Sequence, residues 1–128
     1  MSYRALIVDD SPVVRRVVAR ALTMSGLGFD QLHQAANGKE ALKVLEQGPL
    51  DVVFADINMP EMNGIELLEH MIANGQLPAQ KVVVLSTERS EERIALFKKL
   101  GVRAYLAKPF KPEDLGDLVS QLLAQGAA

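Results

Sequence analysis

The sequence predicts a doubly wound α/β domain, a parallel sheet covered by helices on both faces. Three observations predict it: short continuous apolar runs recur along the chain, segments of helical period separate them, and the two kinds alternate five times. Right-handed crossovers between parallel strands then place helices on both sides of the sheet. With 128 residues the chain is long enough to bury a real core and short for two ordinary ones, so residues 1–128 are expected to form one domain.

The strand segments are Ala5-Leu6-Ile7-Val8, Asp51-Val52-Val53-Phe54-Ala55, Val82-Val83-Val84-Leu85 and Ala104-Tyr105-Leu106-Ala107. Their lack of alternation marks strands buried on both faces. A weaker fifth run spans Gln31 to Ala35, and its polarity predicts a strand at the sheet's edge.

The first helix is expected to turn Val13, Val14, Val17, Val18, Ala21 and Leu22 inward and Arg15, Arg16 and Arg20 outward, with Ser11 as N-cap and Pro12 in the first turn. Asn37-Gly38-Lys39-Glu40 reads as a capping box opening a second helix that buries Ala41, Leu42 and Leu45 and ends at Gly48-Pro49. A third helix follows Asn63-Gly64, carries Leu67, Leu68, Met71 and Ile72, and stops near Asn74-Gly75. The fourth starts near Ser90, buries Ile94, Phe97 and Leu100, and ends at Gly101. The fifth starts at Pro112 and presents Leu115, Leu118, Val119, Leu122 and Leu123.

Composition narrows the function. A net charge of -2 gives no long-range attraction to phosphodiester backbones, so direct nucleic-acid binding is not expected. With no cysteine, thiolate catalysis, disulfides and cysteine-ligated zinc are excluded together. The apolar run before Asp9 is too short for a signal-peptide core or a membrane span, so a cytoplasmic location is expected.

In open parallel sheets ligands bind beyond the C-terminal strand ends, where strand order reverses. Asp9-Asp10 closes the first strand, Asp56 the third, Ser86-Thr87 the fourth and Lys108-Pro109 the fifth. Singly, each has a plain explanation: a helix cap, loop hydroxyls, a solvated surface charge. Together they do not, because three carboxylates within ~5 Å repel by roughly 3 kcal/mol per pair at an effective dielectric of ~20. One lysine offsets only part of that. A hard divalent cation such as Mg²⁺ suits an all-oxygen donor set, whereas zinc would find neither cysteine nor histidine, since His33 and His70 belong to the second strand and the third helix. A carboxylate nucleophile with a cation, an ammonium and a hydroxyl is what phosphoryl transfer requires.

The pair Asp9-Asp10, the segment Asp56-Ile57-Asn58-Met59-Pro60-Glu61-Met62-Asn63-Gly64, Ser86, and Tyr105-Leu106-Ala107-Lys108-Pro109-Phe110 resemble the signatures of bacterial response-regulator receiver domains, in particular single-domain, CheY-like members. The resemblance runs from the first strand to the last helix. It implies a flavodoxin-like strand order 2-1-3-4-5.

It also implies a role for each matched residue. Asp56 would accept the phosphoryl group from a histidine kinase or phosphotransfer protein. Mg²⁺ would be held by Asp10, the Asp56 carboxylate and the Asn58 carbonyl, with Asp9 acting mainly through water. Lys108, followed by a cis peptide to Pro109, would pair with a phosphoryl oxygen. Ser86 would hydrogen-bond the phosphoryl group and make room for Tyr105 to rotate, changing the face formed by the fourth helix, fifth strand and fifth helix for a downstream protein target. Asn58, Thr87 and Glu88 occupy positions that tune dephosphorylation. The Asn58 and Glu88 combination implies a short-lived phosphoryl state, and the bulk of Thr87 works the other way. Ile57 departs from the aromatic residue of the best-known member, so chemotaxis is one pathway open to the chain rather than an established one. A resting monomer is expected, with dimerisation on activation left open.

Two other readings compete. A haloacid-dehalogenase-like phosphatase shares the aspartate, Mg²⁺, hydroxyl and lysine but needs a second aspartate where this chain has Asn58. A degenerate receiver serving as a scaffold normally lacks one of the acidic or lysine residues, and here all are present.

Overall fold

The computed structural model describes residues 3–48, 50–56, 64–74, 81–87 and 91–125. Asn58 and Glu88, with the expected boundary residues Pro49, Asn63, Gly75 and Ser90, lie outside the described residues. Strands and helices alternate as β1 (Tyr3–Val8), α1 (Pro12–Met24), β2 (Phe29–Ala35), α2 (Gly38–Leu45), β3 (Val52–Asp56), α3 (Gly64–Ala73), β4 (Lys81–Ser86), α4 (Glu91–Lys99), β5 (Ala104–Ala107) and α5 (Pro112–Gln125). All pairings are parallel, in the order β2-β1-β3-β4-β5, as the resemblance implied.

Side-chain alternation along the central strands feeds two cores. Leu6, Val8, Val53, Ala55, Val82 and Val84 face one side and pack with Ala41 and Leu45 of α2, Leu67, Leu68 and Met71 of α3, and Phe97 of α4. Ala5, Ile7, Val52, Phe54, Val83 and Leu85 face the other, against Val18, Ala21 and Leu22 of α1 and Leu115, Val119 and Leu122 of α5. Most of these side chains are fully buried, which is why the strands read as continuous apolar runs.

β2 is the edge strand its polarity predicted, but it begins two residues earlier, at Phe29. Phe29 is buried, pairs with Tyr3 and lies ring to ring with it at 5.5 Å. A register shift between Tyr3 and Arg4 separates that contact from the regular ladder, so the apolar anchor stands apart from the polar run Asp30-Gln31.

The helix starts follow local chemistry. Ser11 Oγ accepts from Val14 N–H at 3.3 Å, with Pro12 in the first turn of α1. Asn37 Oδ1 accepts from Glu40 N–H at 2.9 Å, and Glu40 Oε1 accepts in return from Ala36 N–H at 3.1 Å, one residue before the cap. Gly101, at φ 103°, follows α4 in the left-handed region that glycine adopts without steric penalty.

One expectation for α1 is corrected. Val14, Val18, Ala21 and Leu22 face the core, but Val13 and Val17 are 57% and 41% exposed. A helix turns 100° per residue, so one face cannot hold Val13 and Val17 together with the Val14, Val18 and Leu22 stripe. On α3, Ile72 is likewise turned outward.

Candidate functional site

The register aligns the C-terminal strand ends. Val8 pairs with Ala55 and Asp56 with Leu85, while Ser86 pairs with Ala107, so the residue after each strand emerges at one edge of the sheet. β1 has β2 on one side and β3 on the other, and strand order reverses there. Asp9 and Asp10 follow β1 and Asp56 ends β3, so the acidic residues flank the crevice where such sheets bind ligands.

Carboxylate oxygens of Asp9, Asp10 and Asp56 all lie within 4.8 Å of one another. Asp9 and Asp56 are buried, at 1% and 6% exposure, and Asp10 is exposed. The Asp9 backbone is fixed from two sides, its N–H donating to the Ala35 carbonyl at 3.1 Å while its carbonyl accepts from an Arg15 guanidinium N–H. Its Oδ1 accepts from Ser11 N–H at 2.9 Å, which couples the acidic turn to the cap of α1.

Lys108 reaches across β4 to this cluster. Its Nζ donates to Asp9 Oδ2 at 2.8 Å and lies 3.5 Å from Asp56 Oδ2. Burial acts to lower the lysine pKa, but the hydrogen bond to Asp9 and the charges of Asp56 and Asp9 outweigh it, so the pKa is raised above the ordinary 10.5. The Lys108 N–H donates to the Ser86 carbonyl at 2.8 Å, and the peptide to Pro109 is cis.

Ser86 is fully buried at the end of β4, and Thr87 beside it is exposed. The Tyr105 hydroxyl donates to the Ser86 carbonyl at 3.2 Å, and its ring stacks on Phe97 of α4 with centroids 6.3 Å apart. The half-buried tyrosine therefore touches both the strand that carries the hydroxyl and the helix beyond it. Asp9, Asp10, Asp56 and Lys108 meet directly, while Ser86 and Tyr105 join through the β4 backbone. His33 is half-buried on β2 and His70 is exposed on α3, so neither histidine belongs to the cluster.

Arg15 is the site residue that sequence reasoning missed. It was expected on the solvent side of α1, yet it is partly buried, with Nε donating to Gln34 at 3.1 Å and a second N–H donating to the Asp9 carbonyl. The available signal was its position four residues after the N-cap Ser11, one helical turn above the acidic pair.

The model of the response regulator receiver domain matches residues 5–120. The chain belongs to that family. It is 34% identical over 125 residues to a CheY homologue named as a chemotaxis protein in Campylobacter jejuni, covering 97% of this chain and 95% of the relative. The chemotaxis protein CheY-3 of Vibrio cholerae is 35% identical over 121 residues, 94% of this chain and 92% of that protein. Among solved structures, CheY4 of Vibrio cholerae superposes with a TM-score of 0.85 at 32% identity, covering 95% and 99% of the two chains. A CheY-like receiver domain protein from Methanospirillum hungatei gives 0.87 at 28% identity, covering 99% and 98%. The chain is thus a CheY-like receiver of two-component signalling. None of its helices, among the described residues, is long and apolar enough to cross a membrane.

Proposed function

We propose that residues 1–128 form one receiver domain that takes a phosphoryl group onto Asp56 and passes the change to a protein partner through α4, β5 and α5. The observation that carries this reading is the environment of Asp56: a buried carboxylate with two more within 4.8 Å and an ammonium at 3.5 Å.

The cluster fits a divalent cation. Three carboxylates against one ammonium leave a local charge of -2, and the donors are all oxygen in a chain without cysteine. Asp9, Asp10 and Asp56, with the Asn58 carbonyl, would hold Mg²⁺, which supplies positive charge against the phosphoryl oxygens. The remaining chemistry belongs to the chain. An Asp56 oxygen attacks phosphorus as the bond to the donor breaks, and the electron pair leaves on the histidine nitrogen of a kinase or phosphotransfer protein, or on the acetate oxygen of acetyl phosphate. The Lys108 ammonium exchanges part of its contact with Asp9 for a phosphoryl oxygen, and the Ser86 hydroxyl donates to another. Hydrolysis returns the carboxylate and releases phosphate, at a rate tuned by Asn58, Thr87 and Glu88. The protein acts on its own aspartate rather than on external substrates, in the cytoplasm.

The signal travels along contacts already formed. A pull on Ser86 is felt by Tyr105 through the Ser86 carbonyl, and Tyr105 rests on Phe97 of α4. Reversing a 1:99 preference for the resting face takes roughly 5.5 kcal/mol of differential stabilisation, to which both phosphoryl group and partner contribute. The relatives named as chemotaxis proteins make chemotaxis the favoured pathway.

The chain has two tyrosines and no tryptophan, so Tyr105 is its own optical probe once Tyr3 is replaced by phenylalanine. Beryllofluoride with Mg²⁺ is expected to change Tyr105 fluorescence in that background and to leave an added Asp56→Asn substitution silent. An unchanged spectrum, or an equal response in the Asp56→Asn protein, would contradict the proposal and favour a scaffold.

A further inference from the structure

α1 and α5 lie on one face of the sheet and leave between them a groove of about 680 Å³, lined by Val17, Arg20, Met24, Glu113, Gly116 and Asp117 among others. An apolar stripe runs along its α1 bank. Val17 and Met24 line the groove and, with Val13 one turn before Val17 and outside it, recur at helical spacing; Val13, Val17 and Met24 are 57%, 41% and 73% exposed. Single exposed hydrophobics are ordinary on a monomer, but three in one stripe beside a groove form a patch that gains by being covered.

The banks carry opposite charge. α1 has Arg15, Arg16 and Arg20 and no acidic residue, whereas α5 has Glu113, Asp114 and Asp117 and no basic one. Arg15 is engaged by Asp9 and Gln34, and Asp114 accepts from Lys111 N–H. Among the described residues Arg20, Glu113 and Asp117 make no ion pair, so these charges are left without an opposite partner within the chain. The α5 bank is also kept low. A Cβ added at Gly116 would meet only Ser25 Cβ, at 3.9 Å, an ordinary contact, so packing within the chain does not require the glycine, although glycine weakens a helix interior.

We propose that this face binds a second copy of the chain about a two-fold axis. Such an axis exchanges the banks, so that the cationic α1 of one protomer meets the anionic α5 of the other twice. Arg20 then pairs with the partner's Asp117, and the flexible Met24 covers the groove opposite, giving an apolar centre with a charged rim. A foreign helix would need both signs in a matching arrangement, whereas a second copy carries them by construction. The contact leaves α4 free for the output face and is independent of phosphorylation, so it replaces the resting monomer expected from the resemblance with a dimer.

Sedimentation equilibrium of the full chain between about 1 and 300 µM tests it, because a dimer's population follows concentration. Wild type is expected to dimerise, and Arg20→Glu and Asp117→Arg alone are each expected to weaken the dimer at least about tenfold, since each sets like charges face to face. An equimolar mixture of the two single variants, and the Arg20→Glu, Asp117→Arg double variant, are expected to recover it. Both positions are exposed, and circular dichroism checks that the variants stay folded. A wild type that is monomeric throughout would overturn the proposal and leave the groove to another protein's helix. A dimer indifferent to the single substitutions, or one that the exchanged pair fails to restore, would also overturn it.

Discussion

At the scale of single residues, Asp56 is held where its charge is costly, and that is open to measurement. Two further carboxylates lie within 4.8 Å of it and one ammonium at 3.5 Å, so the cluster carries a net charge of -2 and its carboxylates repel one another. Asp56→Asn should therefore unfold at higher urea than wild type in EDTA, and Mg²⁺ should narrow the gap by stabilising wild type more. Lys108 gives a pH dependence. Its folded pKa lies above the ordinary 10.5, so its contribution to stability is complete below 10.5 and is lost as pH rises through the higher folded value. The difference in stability between wild type and Lys108→Met should shrink across that alkaline range, and urea midpoints at stepped pH read it; a difference that grows with alkalinity has the wrong sign.

At the scale of elements, caps and registers do the positioning. Asn37→Ala removes the 2.9 Å bond to Glu40 N–H and should cost about 1 kcal/mol, seen as a lower urea midpoint with an unchanged slope. Both that cap and the Ser11 cap were legible, because capping is written in adjacent residues. Asp9, Asp56, Ser86 and Lys108 were legible too, because a parallel sheet brings strand ends together whatever the intervening helices contain. Three features were not. The start of β2 rests on Phe29 across a register shift, which no local pattern marks. The phase of α1 is ambiguous where Val13-Val14 and Val17-Val18 stand side by side, and only the sheet decides which member of each pair is buried. Arg15 belongs to the site because Gln34 and the Asp9 carbonyl meet it from two different strand ends, a coincidence of tertiary structure.

At the scale of the whole molecule, the two faces of the sheet divide the labour. One packs α2, α3 and α4 over a core that reaches from the β3 end to Phe97 beneath Tyr105, and the other packs α1 and α5 and carries the groove. The acidic cluster sits at the edge between them, where strand order reverses, so a change in its charge can bear on either face. Peptide-mapped mass spectrometry after acetyl phosphate treatment measures that change at its source. With Mg²⁺ present, one phosphoryl adduct should appear on Asp56 and vanish in EDTA or in Asp56→Asn. An adduct at another residue, one formed equally without Mg²⁺, or none at all would contradict phosphoryl transfer to Asp56.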